Sequence, residues 1–222
     1  VNERMETSVP DIYAVGDAVE VTHFVTDQKA LISLAGPANK QGRIAADNIC
    51  GGSSHFHGSQ GSSVLKLFGL TVASTGINEK AAQAAGIAYD KVVLFPASHT
   101  TYYPGAQSMT MKVLYEKESL RLLGAQIVGG DSVDKRIDVL ATAIRAKMTA
   151  LELTELDLSY APPYSSAKDP VNMAGFIIED LVSGKVRQFH WNDVEGLPRD
   201  GSITLLDVRT EGEYRHGHLN GF

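Results

Sequence analysis

The stretch DIYAVGDAVE, Asp11 to Glu20, carries four apolar residues, Ile12 to Val15, that run directly into Gly16-Asp17. A short apolar run ending on turn residues predicts a buried strand. A carboxylate at the C-terminal end of such a strand, ahead of a helix, stands where open α/β sheets bind nucleotide-type ligands. The residues alone leave two readings of Asp17. It caps a turn, or it accepts hydrogen bonds from sugar-type hydroxyls. On the second reading the helix opened by Gly36-Pro37 aims its free N–H groups and positive end at negative charge.

Outward from there, Ala30 to Cys50 reads as that helix, closed by Gly51-Gly52, with Ala38, Ile44, Ala45 and Ile49 roughly on one face. Gly51 to Ser63 is rich in Gly, Ser and His and reads as a linker or surface crossover. A second unit begins at Val64. Val64 to Ser74 and Lys91 to Phe95 look like strands around a short helix, Asn78 to Ala85, stopped by Gly86. Met109 to Glu116 and Leu120 to Val128 alternate as the two arms of a hairpin. Asp131-Ser132 is the expected cap of a long helix whose stripe is Val133, Ile137, Leu140, Ile144 and Met148. A short helix near Leu151 to Leu156, the irregular YAPPYSSAKDP and a helix from Pro170 to Leu181 complete an α+β domain. From Gln188 the pattern changes, and Ile203 to Val208 predicts a buried strand of a third domain.

The 222 residues are 43% hydrophobic with a net charge of −6, which argues against a general nucleic-acid or membrane-surface binder. No apolar run is long enough to span a bilayer. The single cysteine, Cys50, excludes an internal disulfide and fits a reducing, cytoplasmic setting. It stands at a helix end with no second cysteine or cationic neighbour to activate it, so a structural role is expected. His55 and His57 lack a nearby carboxylate or thiol, so no metal site is expected. The chain starts at Val1-Asn2-Glu3 and stops at Asn220-Gly221-Phe222, and reads as a piece of a longer protein.

PDIYAVGDA followed by LAGPANKQGR resembles the second flavin-binding motif of the FAD-dependent pyridine nucleotide–disulfide oxidoreductases. The resemblance implies that Asp17, with Ala18 beside it, holds the ribitol of FAD. It also implies that the backbone at Leu34, Ala35 and Gly36 faces the pyrimidine end of the flavin. TTYYPGA and YAPPYSSAKDP look like the branch containing coenzyme A-disulfide reductases, NADH oxidases and NADH-dependent persulfide or polysulfide reductases. In that branch two tyrosines reach the partner subunit's redox cysteine and flavin. They match Tyr102 and Tyr160, with Tyr103 and Tyr164 as neighbours, and Tyr160 also walls the cofactor. Lys168 and Asn39 fall near the coenzyme A site by the same resemblance.

ITLLDVRTEGEYRHGHLNG is similar to the opening of a rhodanese domain, in which Asp207, Arg209 and His218 are scaffold residues. The implied architecture is an α/β piece of an FAD-binding Rossmann-like domain (1–62), an α+β dimerisation domain (63–187), and a linker with the start of a truncated α/β rhodanese-like domain (188–222). The implied function is that of a homodimeric flavoprotein. It would use NAD(P)H and FAD to reduce coenzyme A disulfide, coenzyme A persulfide or polysulfide through a cysteine outside these residues. Oxygen reduction, a non-catalytic dimerisation module and rhodanese sulfur transfer are the competing readings.

Overall fold

The computed structural model describes all 222 residues, which divide into two compact units, Val1–Ser183 and Gly184–Phe222. The larger unit is organised by a five-stranded antiparallel sheet of order β3-β4-β7-β6-β5. Its strands are β3 (Ser63–Leu67), β4 (Leu70–Gly76), β5 (Tyr89–Leu94), β6 (Met109–Glu116) and β7 (Leu122–Gly129). The expected single strand from Val64 to Ser74 is instead the tight hairpin β3–β4, turned at Phe68-Gly69. Where β4 leaves the sheet, Gly76 faces Gly124 on β7. A Cβ on Gly124 would run into the carbonyl of Ile77, so only glycine lets these backbones approach so closely.

Helix α3 (Val133–Arg145) packs across β4 and β7, burying Val133, Ile137, Leu140 and Ile144, as the stripe predicts. The expected fifth member, Met148, lies past the helix end. Ser132 does take the N-cap position, but in left-handed backbone and with no side-chain cap bond. Helix α4 (Pro170–Val182) starts at Asp169, whose carboxylate accepts from the amide of Val171, and packs on the 3₁₀ turn Leu151–Glu155. The short helix α2 (Glu79–Ala84) is capped by the Asn78 side chain. These elements share one apolar core, in which each fully buried large aliphatic side chain contributes about 1.5–3 kcal/mol.

Residues 1–62 depart further from expectation. They contain a two-stranded antiparallel ribbon, β1 (Glu20–Thr22) with β2 (Lys29–Leu31), and helix α1 (Ala35–Ile49), and no parallel sheet. The expected strand over 11–17 is irregular chain running into a 3₁₀ turn at Gly16, tied by one bridge, Glu6 to Tyr13, and Ile12 is 52% exposed. A strand needs a neighbour along its length, and residues 5–7 supply only this short pairing, through the amides of Thr7 and Ala14. Helix α1 begins at Ala35 rather than Ala30 because Ala30 is already paired with Val21. Its buried positions are Gln41, Ala45 and Asn48, whereas Ile49, placed on the apolar face by the sequence, is exposed. The supposed linker is pinned. Phe56 is buried, and Gln60 donates to Thr75 Oγ1 at 3.0 Å and to the carbonyl of Ala141 at 2.8 Å.

The smaller unit holds the 3₁₀ turn Trp191–Gly196 and α5 (Glu211–His216), which opens on a reciprocal Thr210–Glu213 capping box. Ile203 to Val208 is not a strand, and Val208 is 85% exposed. No second strand lies in this unit to pair with it. Asp207 and Arg209 form a two-pronged ion pair, with Nε to Oδ1 at 3.0 Å and Nη2 to Oδ2 at 2.6 Å. That grip holds the Asp207 carboxyl down to about 2.

Candidate functional site

Gly16, Asp17 and Ala18 form a 3₁₀ turn beside the first turn of α1. Gly16 has a φ of +75°, a left-handed conformation that glycine adopts without strain, and its amide donates to Gln41 Oε1 at 2.7 Å. Buried Gln41 thereby locks the turn onto the helix. Asp17 is exposed and makes no hydrogen bond or ion pair within the chain. Leu34 is the N-cap residue and offers no side-chain acceptor, so α1 opens without a side-chain cap at Ala35 and Gly36. A Cβ on Gly36 would meet nothing, so the space before it is open. One exposed corner therefore combines a free carboxylate with the positive end of a 15-residue helix.

The second site lies on two loops, residues 97–108 and 157–169. Tyr102 and Tyr160 place their hydroxyls 3.3 Å apart, although the sequence expectation linked each to a partner subunit and not to the other. They are 76% and 45% exposed. The hydrogen bond shared with Tyr102 pushes the Tyr160 phenol above its ordinary range. The loops are also laced together by Thr100. Its amide donates to the carbonyl of Ser165 at 3.1 Å and its hydroxyl to that of Pro162 at 3.2 Å. Within the first loop, buried His99 spans from Ser98 Oγ at 3.1 Å to the carbonyl of Pro104 at 3.2 Å, and Tyr103 meets its ring edge-on. Tyr164 projects outward, exposed.

Beneath both loops sits Arg136, an α3 residue with 0% exposure that the sequence reading missed. Its Nη2 lies 3.0 Å from Asp169 Oδ2, 3.0 Å from Ser165 Oγ and 3.0 Å from the carbonyl of Ser98. A signal was available, because an arginine beside Ile137 falls on the apolar stripe of α3, where a charge must be paired.

The remaining expected residues are dispersed. Asn39 is exposed on α1. Lys168 borders an apolar cleft of about 380 Å³ with Leu94, Phe95, Met173, Phe176 and Ile177. Cys50 is the C-cap residue of α1 and is exposed, so it has no packing role in the core, contrary to the structural reading. The His55 and His57 rings lie nearly parallel, 6.4 Å apart, and no group of three metal-ligating side chains forms anywhere in the chain. No helix is long and apolar enough to cross a membrane.

Residues 63–170 match the model of the pyridine nucleotide-disulphide oxidoreductase dimerisation domain. More particular likenesses follow. The chain is 38% identical over 182 residues to coenzyme A disulfide reductase of Staphylococcus haemolyticus, covering 82% of this chain and 41% of that protein. It superposes on the structure of reduced CoADR-RHD from Bacillus anthracis with a TM-score of 0.93 at 48% identity, covering 100% of this chain and 40% of the other. The NAD-dependent persulfide reductase from A. fulgidus gives a TM-score of 0.89 at 42% identity, covering 96% and 38%. The chain thus spans less than half the length of these relatives. The likeness to the family's dimerisation domain covers residues 63–170, and the relatives named are reductases.

Proposed function

We propose that this chain is the C-terminal portion of a homodimeric flavoprotein that uses NAD(P)H to reduce coenzyme A disulfide, coenzyme A persulfide or polysulfide. The observation that carries the reading is the Tyr102–Tyr160 pair, held at 3.3 Å on a domain that matches the family's dimerisation module. The corner at Asp17 fits FAD. An exposed, unpartnered carboxylate suits the ribitol hydroxyls, and the open first turn of α1 suits the electron-rich pyrimidine edge. When bound, FAD supplies two-electron transfer between a nicotinamide and a sulfur centre. The chain's own residues then bind, orient and donate. Asp17 and the amides of Ala35 and Gly36 fix the cofactor. The phenol of Tyr160, with Tyr102 beside it, donates a hydrogen bond to the developing thiolate of the departing sulfur. Asn39 and Lys168 are proposed contacts for coenzyme A, Lys168 through a phosphate or carboxylate. Residues 188–222 are proposed as a linker and the start of a rhodanese-like domain, and the setting as cytoplasmic.

The test is to purify the intact protein and follow NADH consumption with coenzyme A persulfide, coenzyme A disulfide and oxygen in turn. Flavin absorbance and turnover with a coenzyme A substrate are expected. Asp17→Ala should weaken flavin binding roughly tenfold to a hundredfold, the scale of one hydrogen-bonded charge. A colourless protein that takes up no flavin, and is indifferent to Asp17→Ala, would falsify the reading.

A further inference from the structure

We propose that the buried Arg136–Asp169 ion pair is a positioning device for Tyr102 and Tyr160, fixing the two loops that bear them in one register. For its role in catalysis the proposal rests on the function given above; for its geometry it does not. The guanidinium is fully enclosed, and its acceptors come from both loops. From the loop carrying Tyr102 it takes the Ser98 carbonyl at 3.0 Å. From the loop carrying Tyr160 it takes the Tyr164 carbonyl at 3.3 Å, Ser165 Oγ at 3.0 Å and Asp169 Oδ2 at 3.0 Å. Nη1 reaches back to the Ser132 carbonyl at 3.2 Å, which orients the plane of the fork against its own helix. Ser165 Oγ in turn donates to Asp169 Oδ2 at 2.8 Å, and the other oxygen, Oδ1, caps α4. The neighbouring Lys135 stands 3.5 Å from the carbonyl of Ser159, the residue before Tyr160.

The chemistry explains why a charge is placed there at all. Position 136 lies on the apolar stripe of α3, where an aliphatic side chain would pack with no desolvation cost. A buried ion pair adds little net stability over such a replacement. Arg136 even leaves its Nε without a partner, a further cost. What the guanidinium supplies, and an aliphatic residue does not, is a donor nitrogen, Nη2, at which acceptors of both loops converge, in a plane held by Nη1 on the Ser132 carbonyl. Those acceptors flank the two phenols on each loop.

The experiment uses the intact protein with Arg136→Lys, and with the double change Arg136→Met and Asp169→Asn. The double variant leaves no unpaired buried charge and keeps a capping acceptor at position 169, so it provides a folded sample where the single variant does not. Circular dichroism confirms folding. The Tyr160 phenol is then titrated by ring-carbon NMR, with Tyr102→Phe marking its behaviour without a partner hydroxyl. The expected result is that Tyr160 titrates below the parent value, at the position seen in Tyr102→Phe, and that kcat drops about tenfold while flavin content holds. A folded variant in which Tyr160 titrates as in the parent overturns the proposal. A shifted titration with unchanged turnover supports the positioning role and removes the tyrosines from catalysis, so failure of the two readings is separable.

Discussion

Residues 63–182 and residues 1–62 are nearly opposite solutions to burial. The first group closes a sheet of five strands under two long helices, and its core draws on every strand except β3. The second has a small cluster of five buried apolar residues, Met5, Val19, Val21, Ala45 and Phe56, while Ile12, Val15, Leu31 and Ile49 face outward. The difference teaches what organises each part. In the sheet domain the apolar residues satisfy one another. In the leading segment the order comes instead from buried amides: Gln41 holds Gly16, and Asn48 donates to the carbonyls of Arg4 and Ser54 at 3.0 and 2.9 Å.

Three measurements press on that contrast. The largest effect is expected from Leu140→Ala, which empties a site at the centre of the sheet domain and should cost about 2–5 kcal/mol in denaturant unfolding. Ile12→Ala, in the exposed run of the leading segment, should stay within about 0.5 kcal/mol. Equal losses would erase the distinction.

A smaller effect concerns Glu79. Burial opposes its ionisation, but hydrogen bonds and charges from Lys112 and Lys91 outweigh this and hold its carboxyl down to about 2. A depressed acid contributes stability that is fully present above its unfolded pKa, 4.5, and is lost as pH falls through the folded value. The sheet domain should therefore lose stability between about pH 4.5 and 2, and Lys112→Met should flatten that slope. A modest change is expected from Asn78→Ala, which removes the cap bond to the Ala81 amide at 2.9 Å. It should lower stability by about 1 kcal/mol, measurable as a small fall in melting temperature.

Much of the sheet domain was legible because its signals are local. Alternation on β6 and β7 and the stripe on α3 state which face is buried before any partner is known. The leading segment misled for the complementary reason. DIYAV has the composition of a buried strand, but whether it becomes one depends on a pairing neighbour, and composition does not report neighbours. Likewise the apolar residues from Ile203 to Val208 predicted a strand that the small unit has no second strand to complete. In the candidate site, the sequence singles out Asp17 and both tyrosine-bearing phrases, and the structure brings the two phenols together. The link between the phrases was not, since Arg136 reaches acceptors 28 to 38 positions away. Only its intrusion into an apolar stripe hinted that something charged waited opposite.

The Tyr102–Tyr160 contact joins positions 58 apart, and so depends on two loops that only the folded domain brings together. A chain whose sheet has formed but whose α4 is still undocked presents one phenol without the other. The hydroxyl pair thus marks completed assembly: a molecule whose two loops have not met lacks it, however native its strands.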